Sequence, residues 1–168
     1  MNEIEHNSPT NSLPEAGSEE KSLTAEKALA AEFARQVSAE DFVSAHRCLA
    51  PWLQAEISPA GLRQAFENEL REMNGYWDLD ELIFPAAYSV SWNSSTLESL
   101  KEPMSWREPR KMSERITSEN FRRWMVIEFL PDENDERIEF DGWFDFWCVV
   151  VEVGDELKIG FFEFEDVD

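Results

Sequence analysis

Asp145, His46 and Tyr88 are the side chains of this chain whose types and surroundings could carry acid–base chemistry. Asp145 interrupts an aromatic run at 143–147, within a predicted strand. A carboxylate buried among tryptophans has a raised pKa and can act as a general acid or anchor a ligand. His46 falls at the margin of the apolar face of a predicted helix, where an acid could orient it as a general base. Tyr88 completes a candidate set for binding or isomerising an apolar ligand.

A structural role is nevertheless favoured for each of the three. No local motif places Tyr88 beside an acid, and His46 is interpreted first as a packed or exposed structural histidine. Asp145 lies near a strand end, where water would solvate it; Glu128 and Glu163 pose the same question more weakly. Strict alternation places Asp145 on one face of its strand with Trp143, Trp147, Val149 and Val151. It places Phe144, Phe146, Cys148 and Val150 on the other face.

The last 45 residues are unusually acidic. From 124 to 168 there are 15 Asp or Glu against one Arg and one Lys, so 2 minus 15 gives a net charge of −13. Such a surface repels nucleic acid and anionic membranes and attracts cations or basic proteins. The densest part is a predicted loop, whose candidate binding residues are Asp132, Glu133, Asp135 and Glu136.

The acidic loop does not match a calcium-binding loop, and no cofactor is predicted. Asp132, Asn134 and Glu136 alternate as in such a loop, but Arg137 stands where Gly is required and Trp143 where a bidentate Glu is required. Cys48 and Cys148 form no Cys-x-x-Cys pair, so two buried thiols are favoured over a disulfide or a metal site. The chain also lacks a glycine-rich phosphate loop and a nucleophile elbow.

Composition predicts one folded domain after a flexible tail. The chain has 168 residues, a net charge of −21, 42% hydrophobic residues, seven Trp and twelve Phe, which suffice for a core. Most of the tryptophans are expected to fill the interior. Residues 1–22 are polar and are predicted to form a disordered tail, and residues 23–168 the domain. Neither a secretory signal nor a membrane span is recognised, so a cytoplasmic protein is expected.

Three helices are predicted first. The first starts near Ser22 or Thr24 and ends near Val37. The second starts at Ser38, which would cap it with Asp41, and Pro51 bends or ends it. The third is capped by Ser58, has Pro59 in its first turn, and stops at 74–75, with an apolar stripe of Leu62, Phe66, Leu70 and Met73.

Strands are predicted for the remainder. Residues 76–92 are interpreted as one bent strand or two, broken at Pro85, and 124–130, 143–153 and 157–164 as three further strands. A tight turn at 154–155 joins the last two. The polar connector at 93–120 is long enough to contain a short helix or a lid. The basic residues at 101–123 are interpreted as an internal counter-charge for the acidic sheet.

The order of helices and then an antiparallel meander resembles the nuclear transport factor 2-like (cystatin-like) superfamily. The segment AEDFVSAH at 39–46 resembles its early acidic turn and aromatic helix start, and WCVVVEVGDELKIGFFEFE at 147–165 resembles its closing hairpin. The resemblance implies an α+β fold of three N-terminal helices packed on a curved, cone-like antiparallel sheet. It leaves function open, because this superfamily contains isomerases, dehydratases, transport adaptors and binding proteins.

Two functional hypotheses follow. The leading one is a non-catalytic, acidic, cytoplasmic interaction domain that binds or inhibits a basic protein through Asp132, Glu133, Asp135 and Glu136, without nucleic acid or membrane as partner. The alternative is a small-molecule-binding, isomerase-like or dehydratase-like pocket in the cone interior, with Asp145, His46 and Tyr88. A closed interior would favour the first and an open cavity with a convergent acid the second. A homodimer through the sheet is left open.

Overall fold

Four helices precede the first strand, and four antiparallel strands form the only sheet in the part of the chain that the structure describes. The structure is a computed structural model, and it describes residues 13–77, 82–105, 108–130, 134 and 144–166. The fold is therefore α+β. Its elements are α1 (Leu13–Ser38), α2 (Phe42–Arg47), α3 (Pro51–Glu56), α4 (Pro59–Trp77), β1 (Ala87–Asn93), α5 (Leu97–Lys101), β2 (Phe121–Leu130), β3 (Phe144–Val153) and β4 (Glu156–Asp166).

Helix α1 begins at Leu13, so the expected start near Ser22 is wrong. Pro14 lies in the first turn, where its missing N–H is not needed, and the glutamates that follow are good helix formers close to the positive end of the helix dipole. Residues 13–22, which were expected to belong to the disordered tail, are thus helical. They were not predicted as helix because their sequence has no apolar stripe. Residues 1–12 lie outside the described residues.

The junction between α1 and α2 differs from the predicted capping box. Ser38 is the last residue of α1, and Asp41 caps α2 by accepting a 3.1 Å hydrogen bond from the Ser44 N–H. Helix α1 closes with Glu40 at a φ of 57° and with a 2.8 Å bond from the Asp41 N–H to the Gln36 carbonyl. This closing turn satisfies the last carbonyls of α1 and places Asp41 as the next cap.

The expected second helix is divided in two, because Pro51 begins α3 instead of ending α2. The start of α4 is as predicted: Ser58 Oγ accepts a 2.9 Å hydrogen bond from the Gly61 N–H. Leu62, Phe66 and Leu70 are fully buried. The helix continues past the expected stop at 74–75 to Trp77, so the prediction of a strand from residue 76 is wrong at its start.

The sheet is a meander with the strand order β1-β2-β3-β4, all antiparallel. The predicted turn at 154–155 is confirmed: Val153 pairs with Glu156, and Gly154 has a φ of 66°, which favours glycine. A register shift in β4 lies between the partners of Val149 and Val150, so Gly160 is the extra residue of a bulge. The predicted extension of a strand over 137–140 and the turn at 141–142 lie outside the described residues.

One face of the sheet packs on the helices through phenylalanine rings. Phe66 of α4 stacks on Phe146 of β3 at 5.7 Å between ring centroids, and Phe33 of α1 stacks on Phe146 at 4.9 Å. The predicted face of Phe144, Phe146, Cys148 and Val150 is confirmed, since all four belong to this helix-facing core. We call this cluster the main core.

The opposite face of the sheet carries a second apolar cluster, which contains three of the seven tryptophans. Trp124 and Trp147 alternate onto this outer face and pack at 4.7 Å between centroids, while Trp52 joins the same cluster. Trp92 is 46% exposed. The expectation that most tryptophans fill the space between helices and sheet is wrong for Trp124 and Trp147, which strand alternation places on the outer face, and for Trp92, which is exposed in β1. Phenylalanines fill the main core instead.

A strap formed by residues 94–105 and 108–120 covers part of the outer face. It contains the short helix that the long connector was expected to contain, α5, whose Leu97 and Leu100 are buried together with Ile116 against Val149 and Val151. The end of the outer face that is nearer the start of β3 carries polar residues instead.

Candidate functional site

Three carboxylates lie side by side on the outer face. Asp145 of β3 pairs directly with Glu128 of β2 on one side and with Glu165 of β4 on the other. Glu128 and Glu165 are exposed, and Asp145 is half-buried between them. We call Glu128, Asp145 and Glu165 the acidic row.

The acidic row depends on a specific register of the last hairpin. Counting back from the Gly154–Asp155 turn would place Phe164 opposite Asp145. The bulge at Gly160 shifts the pairing by one residue, so Glu165 occupies that position and its side chain shares the outer face. Glu165 was missed by sequence reasoning for this reason, and the glycine inside a strand was the signal that could have found it.

Like charges placed directly across a sheet destabilise it, so the acidic row is not explained by folding. Burial, Glu128 and Glu165, in that order, raise the pKa of Asp145 above the usual aspartate range. Its Oδ1 atom is shielded from solvent and has no hydrogen-bond partner within the described residues. Among the described residues, the side chains of the acidic row form one hydrogen bond, in which Ser89 Oγ donates to Glu128 Oε1 over a long 3.4 Å. They form no ion pair there.

Glu163, the next residue of β4 on the outer face after Glu165, is neutralised by Arg110 of the strap. Arg110 Nε lies 2.8 Å from Glu163 Oε1, its Nη1 donates to the Leu100 carbonyl at 3.1 Å, and its guanidinium carbon lies 4.6 Å from the centroid of the Trp124 ring. The Arg110 side chain is only 5% exposed. Arg110 therefore fastens the strap to the sheet with an ion pair, a hydrogen bond and a cation–π contact.

The interpretation of the basic connector as an internal counter-charge is supported by Arg110 and by Arg122, which pairs with Glu152 of β3. Arg123 instead reaches α1, where its Nε lies 2.7 Å from Oε1 of the fully buried Glu26. Glu26 was not singled out from the sequence. Its spacing from Ala30, Phe33 and Val37 places it on the apolar side of α1, and this spacing was the available signal.

The structure does not bring the three candidate catalytic residues together. Asp145 lies on the outer face, whereas Tyr88 of β1 packs against the main core on the other side of the sheet. His46 of α2 makes a 2.7 Å hydrogen bond through Nε2 with the Ile57 carbonyl, so its Nε2–H ties α2 to the end of α3. Each of the three has a different set of neighbours, and no acid–base pair forms among them.

The candidate acidic loop residues Asp132, Glu133, Asp135 and Glu136 lie outside the described residues. The chain order places this loop between Leu130, the last residue of β2, and Phe144, the first of β3. Glu128 and Asp145 are two residues and one residue from those strand ends. The loop therefore leaves and re-enters the sheet beside the acidic row.

The two cysteines are free and buried, as predicted. Burial raises the pKa of the Cys148 thiol to about 12, and burial also raises the pKa of Cys48. Within the described ranges, no group of three His, Cys, Asp or Glu is placed to hold a metal ion. None of the helices there is long and apolar enough to cross a membrane.

No family model matches the chain, and neither a curated protein nor a solved structure is significantly similar to it.

Proposed function

We propose that this chain is a non-catalytic protein-interaction domain that binds a basic segment of a partner protein through the acidic row and the adjoining acidic loop. The observation that carries the proposal is the placement of three carboxylates across three neighbouring strands, where no Arg, Lys or His side chain of the described residues forms an ion pair with them. An unneutralised row of this kind raises the free energy of the folded protein, and a cationic partner would lower it again.

The packing of the interior supports a surface role over a pocket. Phe66 contacts Phe33, Phe129, Phe144, Phe146 and Phe164 at centroid distances between 4.9 and 6.2 Å. Rings at these distances fill the space between helices and sheet. The alternative of a small-molecule or isomerase-like site also lacks convergent groups, since Asp145 and Tyr88 lie on opposite faces.

The nature of the partner follows from charge. A net charge of −21 disfavours nucleic acid and anionic membranes as partners and favours a protein rich in Arg or Lys. We place this interaction in the cytoplasm. We also keep membership of the nuclear transport factor 2-like superfamily as a proposal, which the order of helices followed by an antiparallel meander supports.

The experiment uses a defined probe, a short unstructured peptide that carries several arginines and a fluorophore. Fluorescence anisotropy measures its dissociation constant for the wild type and for the triple variant Glu128→Gln, Asp145→Asn, Glu165→Gln. We expect roughly tenfold weaker binding by the triple variant at low ionic strength. A charge-reversed peptide is expected not to bind.

A matched control distinguishes the effect of the acidic row on peptide affinity from the effect of total net charge. Glu56→Gln, Glu72→Gln and Glu114→Gln change the net charge equally at three exposed positions that do not belong to any strand. We expect this control to keep most of the wild-type affinity. Equal losses in both triple variants would show that the peptide senses only total charge, and the proposal would then be wrong.

A further inference from the structure

The two edges of the sheet differ in whether other parts of the described chain cover them. At the β4 edge, the Ala50 N–H donates to the Ile159 carbonyl at 2.7 Å and the Ile159 N–H donates to the Cys48 carbonyl at 2.8 Å. Trp52 Nε1 donates to the Gly160 carbonyl at 2.8 Å. This covering, the bulge and the charges of β4 are the features by which proteins prevent an edge strand from pairing with another chain.

Within the described residues, the β1 edge has none of these features. Its seven residues, AYSVSWN, include no charge and no proline, and its pairing with β2 has no register shift. The Leu130 carbonyl accepts from the Ala86 N–H, so it faces β1. Backbone N–H and C=O groups alternate in direction along a strand. The backbone groups of Ala87, Ser89 and Ser91, which pair with Leu130, Glu128 and Val126, therefore point toward β2. The backbone groups of Tyr88, Val90 and Trp92 therefore point away from the sheet.

Trp92 adds an apolar side chain to this edge. It is 46% exposed and is one of three large hydrophobic residues in the described chain with such exposure, the others being Val43 and Met104. One contact on the ring is the Lys27 ammonium, 5.2 Å from its centroid. The edge thus offers an exposed aromatic ring and outward backbone groups that no other described residue pairs with.

We propose that β1 pairs with β1 of a second copy of this chain, antiparallel and about a two-fold axis at Val90. In this register Trp92 faces Tyr88 of the other copy, which places two aromatic pairs across the junction. Tyr88, Val90 and Trp92 each offer one N–H and one C=O, so three donors from each copy give six backbone hydrogen bonds. The two sheets become one continuous sheet.

The self-complementary register points to a second copy as the occupant: with the axis at Val90, each outward N–H meets an outward C=O and each Trp92 meets a Tyr88. The net charge of −21 makes two copies repel, so they can approach closely only along a strip that itself carries no charge. β1 is such a strip, and isologous contacts are the commonest arrangement of soluble oligomers. Self-association through β1 leaves the acidic row on the outer face, so this inference does not depend on the proposed function.

The test is the mass of the full chain in solution, measured by sedimentation equilibrium over a range of protein and salt concentrations. We expect a monomer–dimer equilibrium that shifts toward the dimer as salt rises, because screening removes the repulsion between the copies. Binding of a basic partner shows the opposite salt dependence, so failure of one proposal is distinguished from failure of the other. A monomer at every concentration and salt would overturn the inference and leave the edge to a strand of another protein.

Two variants locate the interface. Val90→Pro removes an N–H that points away from the sheet, so β1–β2 pairing is retained while dimerisation is lost. Trp92→Glu places a charge on the edge and is expected to raise the dimer dissociation constant roughly tenfold or more. Met104→Glu is the matched control, because Met104 is 42% exposed and lies outside β1.

We expect Met104→Glu to dimerise like the wild type. Equal effects of the two glutamate substitutions, or a Val90→Pro chain that folds and still dimerises, would overturn the inference. Circular dichroism reports whether Val90→Pro folds, and if it does not, the comparison of Trp92→Glu with Met104→Glu decides.

Discussion

Asp145 lies directly opposite Glu128 on the neighbouring strand, and both side chains occupy the outer face of the sheet. Cross-strand neighbours have Cβ atoms about 4.5–5.5 Å apart, so two carboxylates in these positions repel. A single lysine at either position would remove that repulsion. The arrangement therefore lowers stability at a site that the main core does not use, which is the pattern expected of a functional surface.

The first prediction concerns stability and pH. A carboxyl group with a raised pKa in the folded state binds protons more tightly when folded than when unfolded, so its ionisation destabilises the fold. This cost is absent below the ordinary aspartate pKa of about 4 and grows as pH rises through the raised pKa. Asp145→Asn should therefore raise the free energy of unfolding at neutral pH, with the difference shrinking toward pH ~4. Urea unfolding at several pH values measures it.

Asp155→Asn, in the exposed turn, is the control for that measurement and is expected to change little. A loss of stability in Asp145→Asn at neutral pH would contradict the assigned cost of the Asp145 charge.

The second prediction concerns Gly160. A Cβ there would lie 3.0 Å from both Val151 methyl groups and 3.1 Å from the Trp52 ring, so Gly160→Ala should cost about 1–3 kcal/mol of unfolding free energy. Val151→Ala should partly relieve that cost in the double mutant, because it removes the contacting methyl groups.

Gly154→Ala is the matched control. Its Cβ meets nothing within 4 Å, and its φ of 66° alone opposes the substitution. Val151→Ala should give no rescue of Gly154→Ala. Simple additivity of Gly160→Ala with Val151→Ala would show that the bulge relaxes without the predicted clash.

The third prediction concerns the main core. Leu70 is fully buried in α4, and Leu70→Ala should lower the free energy of unfolding by about 2–5 kcal/mol. Val43→Ala, at a side chain that is 54% exposed, should change it by less than about 0.5 kcal/mol. Denaturant titration of both variants checks the assigned faces, and a Leu70→Ala effect as small as that of Val43→Ala would contradict the packing of α4.

The fourth prediction concerns the acidic loop. Replacing Asp132, Glu133, Asp135 and Glu136 by their amides should slow association with the arginine peptide and flatten its dependence on salt. Exposed charges act beyond contact range only within a screening length of about 8–10 Å near physiological ionic strength. Stopped-flow fluorescence measures the on-rate, and the off-rate should change less. An on-rate indifferent to salt and to the four substitutions would remove the loop from the binding surface.

The sequence predicted the fold class and the two faces of β3, because each depends on local periodicity. Ser58 and Gly154 were recognised because a cap and a tight turn need particular residue types. The start of α1 at Leu13 was missed because that segment has no apolar stripe, although its residues favour helix. The end of α4 was missed because a helix can continue past Asn74 and Gly75 when no stronger stop follows.

The acidic row was only partly predictable. Alternation along β3 identified the face of Asp145, but the pairing partner depends on the hairpin register, which the Gly160 bulge changes by one residue. That bulge lies where Trp52 donates a hydrogen bond to the Gly160 carbonyl, a contact between residues far apart in sequence. Tertiary contacts of this kind cannot be obtained from the local pattern.

The most direct test of the proposed function is where the cationic peptide binds. We propose a titration of the isotope-labelled full chain with the arginine peptide, followed by amide chemical-shift changes. The account predicts that the largest changes occur at the amides of Glu128, Asp145 and Glu165 and their strand neighbours, and that they are reduced by the triple row variant but not by its matched control. Changes confined to the helices, or spread evenly over all exposed acidic residues, would contradict it.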